Sequence, residues 1–311
     1  MATRSDRPID RPAPRHTRRH LAAWAFAAPA LAVIVLFFLM PVGAAFVLSL
    51  TDFDIYALAD LRNLRVVGFE HYVRLLHEPL FWQALRNTLH FVVVGVPLSI
   101  GLSLAAAVAL QSPLVRFKPI LRTALFAPVV TTLVAVAVIW RYLVHVRYGL
   151  LNRLLEGLGL SPVDWLGDPD WAMTTLIVFA AWKNFGGNMI IFMAALQAIP
   201  QEWYEAARMD GASAWQRLRH ITLPALGPTL LLVSVLTTAG YFQLFAEPYV
   251  MTQGGPLHST TSVLYLMYED GFRWWNLGAA CAVAFVLFII VLAVTKGAQW
   301  LAGSRAGAGA A

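Results

Sequence analysis

Residues 205–224 read EAARMDGASAWQRLRHITLP, a charged stretch between two long apolar segments. The stretch begins with good helix formers. Asp210 and Gly211 are expected to end that first helix, because glycine tolerates the left-handed conformation just past a helix end. Ser213 can then cap a second helix that runs toward Pro224. The stretch therefore predicts two short helices joined at a glycine turn, in water beside a membrane or against another protein.

The composition indicates that much of the remaining chain lies in a membrane. Of 311 residues, 59% are hydrophobic and 13% are charged, which leaves too little polar surface for a soluble globule. The formal net charge of +6 comes largely from arginines within residues 1–20, and a basic tail of this kind marks the cytoplasmic side of a bilayer. We therefore expect the lipid bilayer as a partner, and no nucleic acid.

Six apolar segments are long enough to cross a bilayer, which takes roughly 20 residues in a helix. They are residues 21–50, 87–115, 123–140, 171–198, 225–245 and 277–294. The predicted fold class is an all-α membrane protein with six transmembrane helices.

Basic residues orient these helices. Arg116, Lys118 and Arg122 form a turn without an acidic residue, and such turns lie in the cytoplasm, as does the basic tail. Both termini and the loop at residues 201–224 are then cytoplasmic. The predicted organisation is a basic tail at residues 1–20, a transmembrane domain at residues 21–298 and a cytoplasmic tail at residues 299–311.

The charged stretch resembles the EAA loop of permease subunits of ATP-binding cassette (ABC) importers. The matching residues are Glu205, Ala206, Ala207, Asp210, Gly211, Ala212, Leu223 and Pro224. The resemblance implies the type I ABC importer transmembrane fold and a loop that docks on a cytoplasmic ATPase. It also implies the partners, which are a second permease subunit, two ATP-binding subunits and an extracytoplasmic sugar-binding protein.

Residues 248–280 resemble the segment after the fifth span in the carbohydrate-uptake branch of these permeases, which includes maltose, lactose and glycerol phosphate importers. The matching residues are Tyr249, Met251, Thr252, Gly254, Gly255, Pro256, Ser259, Thr260, Gly271, Phe272 and Gly278. The resemblance implies the permease subunit of a sugar importer. The same machine importing glycerol phosphate or another solute is the alternative.

Two spans carry polar and small residues suited to a solute path. They are Lys183, Asn184, Gly187 and Asn188 in the fourth span, and Thr237, Gly240, Tyr241 and Gln243 in the fifth. Sugars need hydrogen-bonding groups beside aromatic faces, because an unpaired buried hydroxyl costs roughly 1–3 kcal/mol. Packing between helices is the alternative for each single residue, since threonine and glycine also serve that purpose.

Lys183 is the charged member of this set. A lysine inside a span costs at least ~2.5 kcal/mol on insertion scales, so it requires a partner, with Glu247 as one candidate, or water. It would be an anion contact if the solute were glycerol phosphate. By the resemblance, Ala180, Lys183 and Gly187 depart from the maltose-contacting pattern, which argues against maltose itself.

The sequence offers little support for enzymatic chemistry. It contains no phosphate-binding loop motif and one cysteine, Cys281, so we expect no cofactor or metal site in this chain and ATP hydrolysis in separate subunits. An ion-coupled secondary transporter would need acidic residues within its spans or a repeat pair. An intramembrane enzyme would need a nucleophile or metal motif. Both remain weaker alternatives to a transport subunit.

Overall fold

The computed structural model describes residues 16–112 and 115–308. Most of the predicted basic tail and the last three residues lie outside the described part. The chain divides into two compact units, residues 1–48 and 49–311.

The first unit contains the first predicted span. Helix α1 (His16–Ile34) continues through a π-helical turn, Val35–Leu39, into α2 (Met40–Ser49). Its segment Phe26–Ser49 is long and apolar enough to cross a membrane.

The second unit is built on long helices. The helices that pass the same test are α5 (Pro79–Gln111), α9 (Pro169–Gln197) and the first part of α16 (Leu277–Ala308). The shorter helices before α9 are α3 (Ile55–Ala59), α4 (Glu70–His77), α6 (Lys118–Val130), α7 (Leu133–Leu143) and α8 (Leu150–Gly157). Those after it are α10 (Gln201–Met209), α11 (Ala214–Arg217), α12 (Leu223–Ala225), α13 (Gly227–Tyr241), α14 (Ala246–Met251) and α15 (Val263–Tyr268).

Helix α9 is the centre of this unit. It packs along α5 and also against α6, and the Ser103 hydroxyl of α5 donates a hydrogen bond to the Phe185 carbonyl of α9 at 2.8 Å. Gly186 permits the contact with α6, because a Cβ there would lie 2.4 Å from the Leu125 carbonyl oxygen. Small and polar residues thus bring the backbones of these helices together, as is common inside membranes.

The third span is not the single helix that the sequence predicted at residues 123–140. Helices α6 and α7 meet at 102° across a short break. Thr131 and Thr132 are extended there, and the Thr131 hydroxyl donates to the Pro128 carbonyl at 2.7 Å. That carbonyl would otherwise accept the N–H of Thr132 in a continuing helix, so the threonine side chain replaces a helical bond at the break.

The fifth span also differs from the prediction of one helix at residues 225–245. Residues 214–225 and 227–241 form two arms bent by 68°, and the second arm ends at Tyr241. Pro228 lacks the N–H that would reach the Pro224 carbonyl, and its ring crowds that carbonyl. The described residues therefore hold four continuous candidate spans, or up to six when each bent pair counts as one.

The segment between α13 and α16 is held by polar contacts. The Asn87 amide of α5 donates to the carbonyls of His258 and Thr261 at 2.8 and 2.9 Å, and the Thr88 hydroxyl accepts the N–H of Val263 at 3.0 Å. Before α16, helix α15 continues into a π-helical turn, Glu269–Arg273.

Asp270, in that π-helical turn, borders a cavity of about 310 Å³ together with His71, Arg74 and Glu78. Burial raises the pKa of its carboxyl to about 6, although the positive charge of Arg74 opposes the shift and Glu78 and Glu269 add to it. His71 accepts from the Arg74 guanidinium through Nδ1 at 3.1 Å and donates through Nε2 to the Thr51 carbonyl at 3.0 Å.

Asp270→Asn is expected to stabilise the protein at neutral pH. The folded state binds a proton between about pH 4 and pH 6 that the unfolded chain does not, so the stability of the wild type falls as pH rises through this window. The substitution should raise the free energy of unfolding by about 1–2 kcal/mol above pH 6 and change it little below pH 4, after allowance for partial exposure. Thermal unfolding of the purified protein across this pH range measures the difference. Glu156→Gln on α8, an exposed acid outside the lining of this cavity, is the control, and an equal gain at every pH would contradict the assignment to Asp270.

Candidate functional site: a membrane cavity and a helical docking loop

The loop at residues 201–224 has the structure that its sequence predicts. Gly211 follows α10 with φ +75°, and the N–H of Ala212 reaches back to the Ala207 carbonyl at 2.8 Å. Ser213 then caps α11, since its hydroxyl accepts from the N–H of Gln216 while the Gln216 side chain accepts from the N–H of Ser213 at 2.7 Å. The predicted helix, glycine turn and capped helix are confirmed.

This loop presents apolar side chains to its surroundings. Met209 is 89% exposed, Trp215 66% and Trp203 53%, whereas the Tyr204 hydroxyl bonds to the Thr222 hydroxyl at 2.9 Å and ties the two halves together. Of the residues that carry the resemblance, Glu205, Ala206, Asp210 and Gly211 are also exposed, and Ala207 and Ala212 are half-buried. Exposed methionine and tryptophan on a rigid support are typical anchors of a protein interface.

A cavity of about 600 Å³ lies between α9 and α13. Seven of the eight predicted path residues line it, namely Asn184, Gly187, Asn188, Thr237, Gly240, Tyr241 and Gln243. The Asn188 amide donates to the Thr237 hydroxyl at 3.0 Å and joins the two helices at the wall. The volume is within the range of small-molecule sites.

Lys183 is the exception among the predicted residues, because it is buried but is not among the residues that line the cavity. Its ammonium donates to the Val129 carbonyl at 3.2 Å. The break after Val130 deprives that carbonyl of its helical partner, and a cation is favoured at a helix C-terminus. An ion pair with Glu247, one of the candidate partners, does not form: in the part of the chain that the structure describes, the ion pairs are Arg65–Asp52 and Arg273–Glu269.

Several lining residues lie outside the set of eight predicted path residues. Phe91 and Phe245 supply aromatic faces, and Glu247 at the start of α14 supplies a carboxylate. The Phe91 and Tyr241 rings lie 5.1 Å apart, and the Tyr241 hydroxyl is buried without a hydrogen bond of good geometry to another described residue. In the sequence, Glu247 could be singled out as an acidic residue that directly follows an apolar span.

The Tyr241 ring occupies the space that a side chain at Gly95 would fill. A Cβ at Gly95 would lie 2.6 Å from Cε1 of this buried ring. Gly95→Ala is therefore expected to displace Tyr241 and to lower the free energy of unfolding by about 1–3 kcal/mol, as overpacking usually does. Gly101→Ala on the same helix meets nothing within 4 Å and is the matched control. Thermal unfolding in detergent compares the two, and equal midpoints would contradict this account of the wall.

Helices long enough to span a membrane, a cavity between α9 and α13 lined by amides, hydroxyls and aromatic rings, and an exposed helical loop are together typical of a membrane transport subunit. Residues 111–299 match the family described as "Binding-protein-dependent transport system inner membrane component". The chain belongs to this family, and it is a multi-pass membrane protein.

Its relatives are permeases. The chain is 37% identical to the lactose transport system permease protein LacF of Rhizobium radiobacter, over 86% of this chain and 89% of the relative. It is 35% identical to the trehalose/maltose transport system permease protein MalF of Thermococcus litoralis, over 86% of this chain and 88% of the relative. The predicted membership among ABC importer permeases is confirmed.

A solved structure shares the fold. A chain of a bacterial ABC transporter involved in the import of the acidic polysaccharide alginate superposes with a TM-score of 0.76, over 93% of this chain and 98% of the other. Because sequence identity is 23%, this likeness concerns the fold alone. It supports the predicted all-α transmembrane architecture of ABC importers.

Proposed function

We propose that this chain is the permease subunit of an ATP-driven, binding-protein-dependent importer of an uncharged sugar. The observation that carries the proposal is the cavity between α9 and α13, in which amides and hydroxyls stand beside the rings of Phe91, Tyr241 and Phe245. Such a mixture suits a sugar, whose hydroxyls need hydrogen bonds and whose CH faces pack on aromatic rings. Relatives named for lactose and for trehalose and maltose support the same class of solute.

The proposed assembly follows the sequence-based expectation. Two permease subunits form the translocation path, two ATP-binding subunits dock on the loops of residues 201–224, and an extracytoplasmic binding protein delivers the sugar. Residues 21–298 form the transmembrane domain, and the tails at residues 1–20 and 299–311 and the docking loop lie in the cytoplasm. ATP binding drives the change of access, and a nearly complete switch between two states requires about 5.5 kcal/mol of differential stabilisation.

The charge of the cavity favours an uncharged solute over glycerol phosphate. Among its described lining residues, the charged one is Glu247, and a phosphate would meet this carboxylate without a facing cation. The ammonium of Lys183 bonds to the Val129 carbonyl instead. Lys183 therefore does not offer the cation that a bound glycerol phosphate would need.

Uptake by proteoliposomes that contain the whole complex tests the proposal. Labelled lactose, trehalose, glucosamine and glycerol 3-phosphate are offered with the cognate binding protein, with and without ATP inside. We expect ATP-dependent accumulation of an uncharged sugar. Accumulation driven by a proton or sodium gradient without ATP would instead identify an ion-coupled transporter, and accumulation of glycerol 3-phosphate alone would overturn the choice of an uncharged solute.

A further inference from the structure

Glu247 is a carboxylate buried at the edge of the cavity without a side chain to pair with. It stands in the first turn of α14, is 8% exposed and lines the cavity. Its own backbone N–H bonds to the carboxylate, and no hydrogen bond or ion pair from another described side chain reaches it. A buried carboxyl with so few partners carries a desolvation cost. A group of this kind beside an open cavity is poised to bind what enters it.

The groups around Glu247 resemble the polar lining of a ligand site. The Tyr241 hydroxyl, also without a well-placed partner among the described residues, borders the same space, and so do the amides of Asn184 and Gln243. Phe245 and Ala246, which precede Glu247 in the chain, line the cavity as well. The carboxylate can therefore accept hydrogen bonds while neighbouring groups donate or accept others and a ring packs against the same ligand.

Burial, the largest effect, raises the pKa of the Glu247 carboxyl, and its own backbone N–H and the charge of Lys183 oppose the shift. Lys183 does not come within the 4.0 Å of an ion pair, because its ammonium is held by the Val129 carbonyl. The carboxyl can therefore accept hydrogen bonds from a ligand, while burial disfavours charge at this place. An uncharged ligand that offers hydroxyl donors satisfies both conditions.

We propose that Glu247 is the specificity-determining residue of the cavity and accepts hydrogen bonds from two neighbouring hydroxyl groups of an uncharged sugar. The inference rests on the proposed function and names the group that selects the solute. Two carboxylate oxygens match a pair of adjacent hydroxyls, and hydrogen bonds to a charged acceptor are about twice as strong as neutral ones. The same carboxylate repels phosphate and carboxylate groups.

The test uses the complete complex in proteoliposomes, with labelled lactose, trehalose, glucosamine and glycerol 3-phosphate as probes. Because the binding protein captures the sugar before the cavity does, removal of the Glu247 contact should lower the maximal rate of uptake and leave the apparent KM nearly unchanged. We expect about a tenfold loss in Glu247→Gln and about a hundredfold loss in Glu247→Leu. Glu247→Asp keeps the carboxyl group on a shorter side chain. Its maximal rate of uptake should lie between those of the wild type and Glu247→Gln.

Two further measurements separate this role from a structural one. ATP hydrolysis stimulated by the binding protein should fall much less than uptake in Glu247→Gln, since the docking loop is intact. Glu269→Gln, which removes an acid outside the cavity lining, should transport like wild type. A matching loss of hydrolysis and uptake in the Gln, Leu and Asp variants would assign Glu247 to structure or coupling and overturn the proposal.

The other possible results distinguish a failure of the proposed function from a failure of the role of Glu247. If the wild type imports no uncharged sugar with ATP, the proposed function fails. If the wild type does so and Glu247→Gln matches its rate, the proposed function stands and the role of Glu247 fails. If glucosamine is the solute whose uptake depends on Glu247, the carboxylate binds a cation and the assignment to hydroxyl groups is overturned.

Discussion

Gly211→Pro is expected to abolish ATP-driven uptake while the chain remains inserted in the membrane. Gly211 has φ +75°, whereas proline fixes φ near −65°. The substitution also removes the N–H that bonds to the Arg208 carbonyl at 3.1 Å. Because the proline ring cannot adopt a positive φ, the turn cannot keep its conformation, and α10 and α11 must change their relative direction. Uptake should fall more than tenfold.

Gly211→Asn is the matched control for this prediction. A Cβ at Gly211 meets nothing within 4 Å, so the conformation of the backbone decides the outcome. Asparagine visits the left-handed region more readily than other residues with a side chain, and most of the uptake should survive. The measurements are uptake by proteoliposomes and the amount of inserted protein. Wild-type uptake by Gly211→Pro would show that the turn does not transmit the motion of the ATPase.

Met209→Glu is expected to detach the ATP-binding subunits. Met209 is 89% exposed at the end of α10 and Trp215 is 66% exposed on α11, and we expect this apolar pair to enter a groove of the ATPase. A buried carboxylate in that groove would have no partner. Loss of an interface anchor costs at least about 2 kcal/mol, or roughly 30-fold in Kd. The variant should be purified without ATPase and should not transport.

Met209→Leu is the control, because it keeps the apolar volume and should retain the ATPase and the uptake. The readouts are the ratio of ATPase to permease after purification and the thermal midpoint of the permease alone. An unchanged midpoint in Met209→Glu separates a lost interface from misfolding. Recovery of the variant with a full complement of ATPase would show that the exposed methionine lies outside the docking surface.

The sequence predicts those features that depend on local chemistry. The turn at Gly211 and the cap at Ser213 follow from the residues themselves, since a left-handed glycine and a capping hydroxyl act within one helical turn. The path residues from Asn184 to Gln243 could be chosen because polar groups stand out in apolar spans. These residues meet in one cavity only if α9 and α13 pack together. That packing could be expected from the resemblance to importer permeases and not from the composition.

Other features depend on distant parts of the chain. The partner of Lys183 is the Val129 carbonyl, 54 residues earlier, and that carbonyl is free because the helix breaks after Val130. The break depends on Pro128 and on two threonines that equally suit a continuous span. Glu247 is an isolated acid just after the fifth apolar segment, and the fold places it at the cavity. Matching opposite charges in the sequence therefore does not find the hydrogen-bond partner of Lys183.

The bend at Leu226 divides the fifth span into two helical segments, residues 214–225 and 227–241. Leu226 is fully buried, with the docking helices on one side and α13 on the other. The 15 residues of α13 extend about 22 Å at 1.5 Å per residue. A rotation of about 5° around Leu226 then sweeps the far end, where Tyr241 rests against Phe91 and Gly95, through about 2 Å. In the proposed importer, a small tilt that an ATPase imposes on the docking loop would thereby change the width of the cavity.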